Sequence, residues 1–107
     1  MPLSNTLMGR TFEYSGTLAT GITVFFKPPS KKLITSAIIR VIKAEITSRS
    51  PVLMGACVKP LVADSIGETL ALKHSETPQV MSYILPLLVE DGFCTVSDRK
   101  PFVIHRK

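Results

Sequence analysis

The chain is poor in the residues that build metal centres and disulfide networks. Its 107 residues include two cysteines, two histidines and no tryptophan. Cys57 and Cys94 are far apart and show neither a C-x-x-C motif nor a Cys/His spacing typical of zinc sites. We therefore expect no metal ion and no cofactor. Both cysteines are interpreted as buried thiols in a reducing cytoplasm, and a disulfide between them is the alternative.

Motifs for catalysis and membrane insertion are missing as well. The sequence contains no G-x-S-x-G, no H-E-x-x-H and no phosphate-binding glycine loop. Glu90 and Asp91 are adjacent carboxylates, but neighbours in a helix do not face each other. We expect no enzymatic activity and no small-molecule ligand. Residues 1–8 do not resemble a signal peptide, and the apolar runs are too short to span a bilayer, which predicts a cytoplasmic protein without a membrane partner.

The composition is that of a single globular domain with a basic charge. Hydrophobic residues make up 45% of the chain and charged residues 20%. Thirteen Lys and Arg residues against eight Asp and Glu residues give a formal net charge of +5. This balance favours a polyanionic partner, such as nucleic acid or an acidic protein surface.

The N-terminal half predicts a β-hairpin followed by a long helix. Residues 11–26 are rich in aromatic and β-branched residues, and turn signals interrupt them. Residues 1–29 are therefore interpreted as an N-terminal β-hairpin extension. A helix is predicted over residues 31–49, with Ser30 as its N-cap. Its expected core face consists of Ile34, Ala37, Ile38, Val41, Ile42 and Ile46.

The C-terminal half predicts two more helices and a second hairpin. Ser65 and Glu68 have the spacing of a capping box at the start of a helix. Thr77 followed by a proline is typical of another helix start, and residues 78–91 have a helical apolar stripe. Pro86 lies inside that stripe, so we expect it either to bend the helix or to end it early. Residues 93–96 and 102–104 are strand-like.

Residues 31–105 resemble the winged helix-turn-helix superfamily. The runs S65-I-G-E-T-L-A, T77-P-Q-V-M-S and L87-L-V-E-D-G-F are similar to a common pattern of bacterial regulators, S-x-x-E-L-A, S-P-x-x-V-S and L-x-x-L-x-x-x-G. The resemblance implies an α+β fold with three helices and a C-terminal hairpin, called the wing. It places this winged-helix-like core at residues 30–107, in one domain with the N-terminal hairpin.

The resemblance also implies a DNA-binding surface. Residues 78–91 would be the recognition helix, with its first residues in the major groove. The base-facing candidates are Gln79, Ser82 and Tyr83, and the phosphate-contacting candidates are Lys73, Arg99 and Lys100. The alternative interpretation is that Gln79 and Tyr83 are ordinary exposed residues of an amphipathic helix and that Arg99 and Lys100 belong to a solvated turn. The Arg106-Lys107 end is expected to be a frayed charged terminus.

One departure from the family pattern supports a different function. No Lys or Arg occurs between Glu76 and Asp98, whereas cations normally supply most of the affinity for DNA. The leading prediction is a small transcription-regulator-like protein that binds double-stranded DNA. The alternative is a winged-helix module for protein–protein contact that does not bind DNA. A homo-oligomer, formed as a homodimer through the N-terminal hairpin or the first long helix, is expected with either function.

Overall fold

The computed structural model describes residues 3–7, 9–56 and 60–107. In these residues the chain forms an α+β fold with two antiparallel sheets and three α-helices. The N-terminal sheet contains β1 (Leu3–Asn5), β2 (Thr11–Thr17), β3 (Gly21–Phe25) and β4 (Lys31–Thr35). The C-terminal sheet contains β5 (Val52–Leu53), β6 (Cys94–Val96) and β7 (Val103–Arg106). The helices are α1 (Ser36–Arg49), α2 (Ile66–His74) and α3 (Met81–Glu90), and a 3-10 turn (Pro78–Val80) leads directly into α3.

The N-terminal sheet has the strand order β1-β2-β3-β4. The predicted hairpin within residues 11–26 is confirmed, since β2 pairs antiparallel with β3. The sheet is larger than the prediction, because β1 and β4 extend it on both sides. Side chains alternate between its two faces, as in any strand. The inner face contributes Phe12, Ile22, Val24 and Ile34 to the core.

The helix predicted over residues 31–49 begins five residues later than expected. Residues 31–35 form β4, and Thr35 rather than Ser30 is the N-cap, with its hydroxyl accepting a hydrogen bond from the Ile38 amide at 3.3 Å. The prediction was wrong because Ile34 fits the apolar face of a helix as well as that of a strand. Pairing with β3 makes residues 31–35 a strand. The core face also differs from the prediction: α1 buries Ile39, Ile42 and Ile46, whereas Ala37 is exposed.

α2 begins as predicted, whereas the helix predicted from residue 78 begins with a 3-10 turn and becomes α-helical at Met81. Ser65 caps α2 by accepting a hydrogen bond from the Glu68 amide at 3.1 Å. The Glu68 carboxylate accepts from the Asp64 amide at 3.2 Å, and not from the Ser65 amide that a capping box would use. Pro86 does not end its helix, because α3 continues to Glu90.

The C-terminal hairpin of β6 and β7 is confirmed, and β5 adds to it through β7. The Arg106 part of the frayed-end prediction is wrong. Arg106 belongs to β7, and its guanidinium carbon lies 3.9 Å from the centre of the Phe93 ring. Lys43 of α1 approaches the same ring at 4.8 Å. Phe93 therefore joins the hairpin to α1 through cation–π contacts.

The structure describes one of the two cysteines. Cys94 is buried, whereas Cys57 lies outside the described residues, so whether the two form a disulfide stays a prediction.

Within the described ranges, no helix has the length and apolar character needed to cross a bilayer.

A close backbone contact fixes α2 against the segment that follows β5. The Gly67 amide donates a hydrogen bond to the Met54 carbonyl at 3.1 Å. A Cβ atom at Gly67 would overlap the carbonyl group of Gly55. Gly67 has no positive φ, so the missing side chain is required by this approach and not by the backbone conformation.

We predict that Gly67→Ala lowers the free energy of unfolding by about 2 kcal/mol, the usual cost of overpacking. Alanine normally stabilises a helix interior by about 1 kcal/mol relative to glycine, so the expected sign is reversed. Urea unfolding followed by circular dichroism measures the change, and Ala71→Gly in the same helix is the control for helix propensity. A stabilised Gly67→Ala variant would contradict the close contact.

Candidate nucleic-acid interface

The predicted recognition helix is more deeply buried than a helix that reads DNA. In and just before α3, the buried residues are Pro78, Val80, Met81, Ile84, Leu85, Pro86, Leu87 and Leu88. Gln79, Val89 and Glu90 are exposed, while Ser82 and Tyr83 are half-buried. A helix that is apolar on nearly all sides packs against protein on nearly all sides. Most of α3 is therefore not available to a DNA groove.

The N-terminal sheet covers the outer side of α3. The Tyr83 ring makes edge-to-face contacts with Phe12 and with Phe26, at centroid distances of 5.2 and 5.6 Å. Further along the helix, the Ser4 hydroxyl donates a hydrogen bond to the Glu90 carboxylate at 2.9 Å. α3 thus lies between the main core and the N-terminal sheet. Apart from Val89 and Glu90 at its C-terminal end, the exposed part of this segment is the turn at Gln79 that leads into α3.

An ion pair ties the turn before α3 to the same sheet. Lys32 of β4 contacts the Glu76 carboxylate at 2.8 Å, and that carboxylate also accepts a hydrogen bond from the Thr77 amide at 2.9 Å. The Thr77 hydroxyl accepts from the Gln79 amide at 3.3 Å. This chain of contacts holds the start of the helix in place. It also pairs the negative charge of Glu76, which lies just before the predicted recognition helix, with a lysine.

Four of the six predicted contact residues lie around one cleft. Gln79, Ser82, Tyr83 and Lys100 line a cavity of about 500 Å³ between the start of α3 and the wing, which we call the α3–wing cleft. Its apolar wall includes Leu53, Met54 and Phe102. Arg99 and Lys73 are exposed, at the wing turn and in the last turn of α2, but neither lines this cleft.

Arg10 is a candidate contact residue that the sequence interpretation missed. It lies between β1 and β2, is exposed, and lines the α3–wing cleft together with Lys100. No local pattern around Arg10 predicts this position, because folding of the N-terminal sheet onto α3 brings it there. The cleft therefore combines the guanidinium group of Arg10 and the ammonium group of Lys100 with the amide of Gln79 and the hydroxyl of Ser82.

The one cysteine within the described residues is a poor nucleophile. Burial raises the pKa of the Cys94 thiol, and the charge of Arg106 lowers that pKa by a smaller amount. The reactive form of cysteine is the thiolate, so a raised pKa leaves less of it at neutral pH. Among the described residues there is also no group of three His, Cys, Asp or Glu side chains that could hold a metal ion.

No family model, no curated protein and no solved structure matches this chain. The geometry of the α3–wing cleft therefore carries the functional interpretation.

We predict that Tyr83 acts mainly by holding the N-terminal sheet against α3. Tyr83→Ala removes both edge-to-face contacts and should lower the free energy of unfolding by about 2 kcal/mol, since the ring is only half-buried. Tyr83→Phe keeps the ring and should unfold within about 0.5 kcal/mol of the wild type. Chemical denaturation of both variants measures the difference. Equal stability of Tyr83→Ala and the wild type would show that the sheet does not depend on this ring.

Proposed function

We propose that the chain is a small nucleic-acid-binding protein of winged-helix type that binds double-stranded DNA without chemistry. The element order supports this proposal: α1, β5, α2, a turn, α3 and a C-terminal hairpin follow one another, and β5 pairs with the hairpin. This order is that of the winged helix-turn-helix superfamily that residues 31–105 resemble. The N-terminal sheet is then an addition to that unit.

The observation that carries the proposal is the composition of the α3–wing cleft. Gln79 and Ser82 bear groups that can form hydrogen bonds with base edges, and a glutamine amide can pair with adenine. Arg10 and Lys100 border the same cleft and can neutralise phosphates on either side of such a contact. Cations that α3 itself lacks are thus supplied by two loops that fold beside it.

The proposed mode of binding differs from a helix laid along the major groove. Because the residues around them are buried, we propose that only Gln79 and Ser82 approach the bases. Tyr83, predicted as a base contact, would then position this turn and touch DNA only at its edge. Arg99 at the wing tip and Lys73 of α2 are exposed outside the cleft and would add phosphate contacts. Few base contacts and several phosphate contacts favour weak, salt-dependent binding.

A second candidate function is a protein-interaction module, and the outer face of the N-terminal sheet favours it. Leu3, Phe25 and Leu33 lie on that face, because the strand register places them together and alternate residues share a face. Leu3 is 63% exposed and Leu33 is 58% exposed. A homodimer would bury these side chains. Sedimentation equilibrium of the wild type and of Leu33→Lys distinguishes a dimer formed by this face from a monomer.

We predict that Arg10→Ala combined with Lys100→Ala weakens binding to a mixed-sequence duplex. The slope of log K against log salt concentration should become shallower by about two, or one for each lost phosphate contact. Fluorescence anisotropy of a labelled duplex, titrated at several salt concentrations, measures both effects.

Arg40→Ala combined with Lys107→Ala is the matched control, because it removes the same charge from residues that do not line the cleft. This control should keep the wild-type slope. If both double variants lose the same affinity, net charge rather than the α3–wing cleft determines binding.

A further inference from the structure

A second cleft lies at the loop end of the N-terminal sheet, and the proposed duplex-binding mode does not use it. Its volume is about 920 Å³, and we call it the sheet-end cleft. Its lining includes aromatic side chains and cations: Phe12, Phe25, Phe26, Tyr83, Arg10, Lys27 and Lys31. It shares Arg10 and Tyr83 with the α3–wing cleft.

The aromatic part of the sheet-end cleft offers a surface for stacking. Phe26 directly follows β3 and is 41% exposed, which is unusual for a phenylalanine that packs against another ring. Its inner edge rests on Tyr83, so the ring is held in position while part of it faces solvent. Phe25 also lines the cleft, but it is half-buried and its side chain lies on the outer face of the sheet, opposite Glu13 and Lys31 in the strand register.

The loop that carries the cations is held by backbone hydrogen bonds. The Phe26 amide donates to the Ser30 carbonyl, and the Ser30 amide donates to the Lys27 carbonyl, both at 3.0 Å. These bonds fold residues 26–30 into a closed turn between β3 and β4. Lys27 and Lys31 flank this turn, and both line the sheet-end cleft.

The charge of the sheet-end cleft is not balanced by its own acids. Within the described part of the lining, Glu13 is the one acidic residue, against the three cations Arg10, Lys27 and Lys31. All three cations are exposed, and among the described residues none of them takes part in an ion pair. Lys32, by contrast, is paired with Glu76. An anionic ligand would find these three cations available.

We propose that the sheet-end cleft binds single-stranded nucleic acid, with a base stacked on Phe26 and phosphates held by Arg10, Lys27 and Lys31. Grooves that combine aromatic side chains with cations are the common solution for binding single strands without strong sequence preference. A duplex does not suit this cleft, because its bases are stacked on each other and cannot reach the rings. An acidic peptide would satisfy the cations but would leave the exposed phenylalanine ring without a matching group.

The test compares a labelled oligothymidine of about 12 nucleotides, within the range of known single-strand sites, with a labelled blunt duplex. Fluorescence anisotropy is measured for the wild type and three variants at several salt concentrations. Phe26→Leu keeps an apolar side chain but removes the aromatic face. Lys27→Ala combined with Lys31→Ala removes two cations, and Arg40→Ala combined with Lys107→Ala is the charge-matched control. Thermal unfolding verifies that each variant is folded.

The proposal predicts separate effects of the aromatic and the basic substitutions on the oligothymidine. Phe26→Leu should weaken binding about tenfold at unchanged salt slope, because stacking is lost. The lysine pair should weaken binding and make the salt slope shallower by about 1.4, or 0.7 for each single-strand phosphate contact. The control pair should bind as tightly as the wild type.

The proposal would be overturned by wild-type affinity of Phe26→Leu, by equal losses in the lysine pair and the control pair, or by no oligothymidine binding at low salt. Displacement of the oligothymidine by polyglutamate at equal charge concentration would also overturn it, since the cleft would then recognise charge alone. Its failure is distinguishable from failure of the duplex proposal. Duplex binding responds to Arg10→Ala combined with Lys100→Ala, whereas Phe26 and Lys27 do not line the α3–wing cleft.

Discussion

The packing of the N-terminal sheet against α3 is the contact on which both clefts depend. Phe12 and Phe26 enclose the Tyr83 ring, and polar links at Glu90 and Glu76 attach both ends of the helical segment to the sheet. This arrangement buries a helix that would otherwise present one face to solvent. It also forms the two clefts, because each of them is bordered by Tyr83 and by Arg10.

The same packing disfavours cations at the buried positions of α3. A lysine or arginine at Ile84, Leu85 or Leu88 would place its charge in the core, and burying an unpaired charge is costly. The positive charge therefore lies on the segments around the helix: the β1–β2 connection, the β3–β4 turn and the wing. In the proposed function, loops supply the phosphate contacts and the first turn of the helix supplies the base contacts. The lack of lysine and arginine on α3 supports the protein-interaction alternative. At the buried positions of the helix, the same lack also follows from its packing.

Local signals in the sequence predicted much of the fold. The β2–β3 hairpin, the caps at Ser65 and Thr77, and the C-terminal hairpin all depend on neighbouring residues, and each is present. Residues 31–35 were assigned wrongly because a short segment with one buried isoleucine fits a helix or a strand until its pairing partner is known. The burial of α3 had a visible signal, since residues 84–88 are apolar without interruption and a one-sided helix would contain a polar residue there.

The clefts could not be predicted in the same way. Arg10 and Lys100 are 90 positions apart in sequence, and Tyr83 meets Phe12 and Phe26 only after the sheet has closed over the helix. Such positions follow from tertiary packing and leave no periodic or spacing signal. The sequence interpretation therefore found Gln79, Ser82, Tyr83 and Lys100 through the family resemblance, but it had no basis for adding Arg10 or the residues of the sheet-end cleft.

The most direct test of the central claim is a heteronuclear NMR titration of the isotope-labelled protein with a short mixed-sequence duplex at low salt. The account predicts shifts of the Gln79 side-chain amide and of the backbone amides of Arg10, Ser82 and Lys100. Backbone amide signals of Leu85 and Leu88, which are buried in α3, should stay unchanged. Shifts confined to the outer face of the N-terminal sheet around Leu33, or no shifts at all, would contradict DNA binding through the first turn of α3.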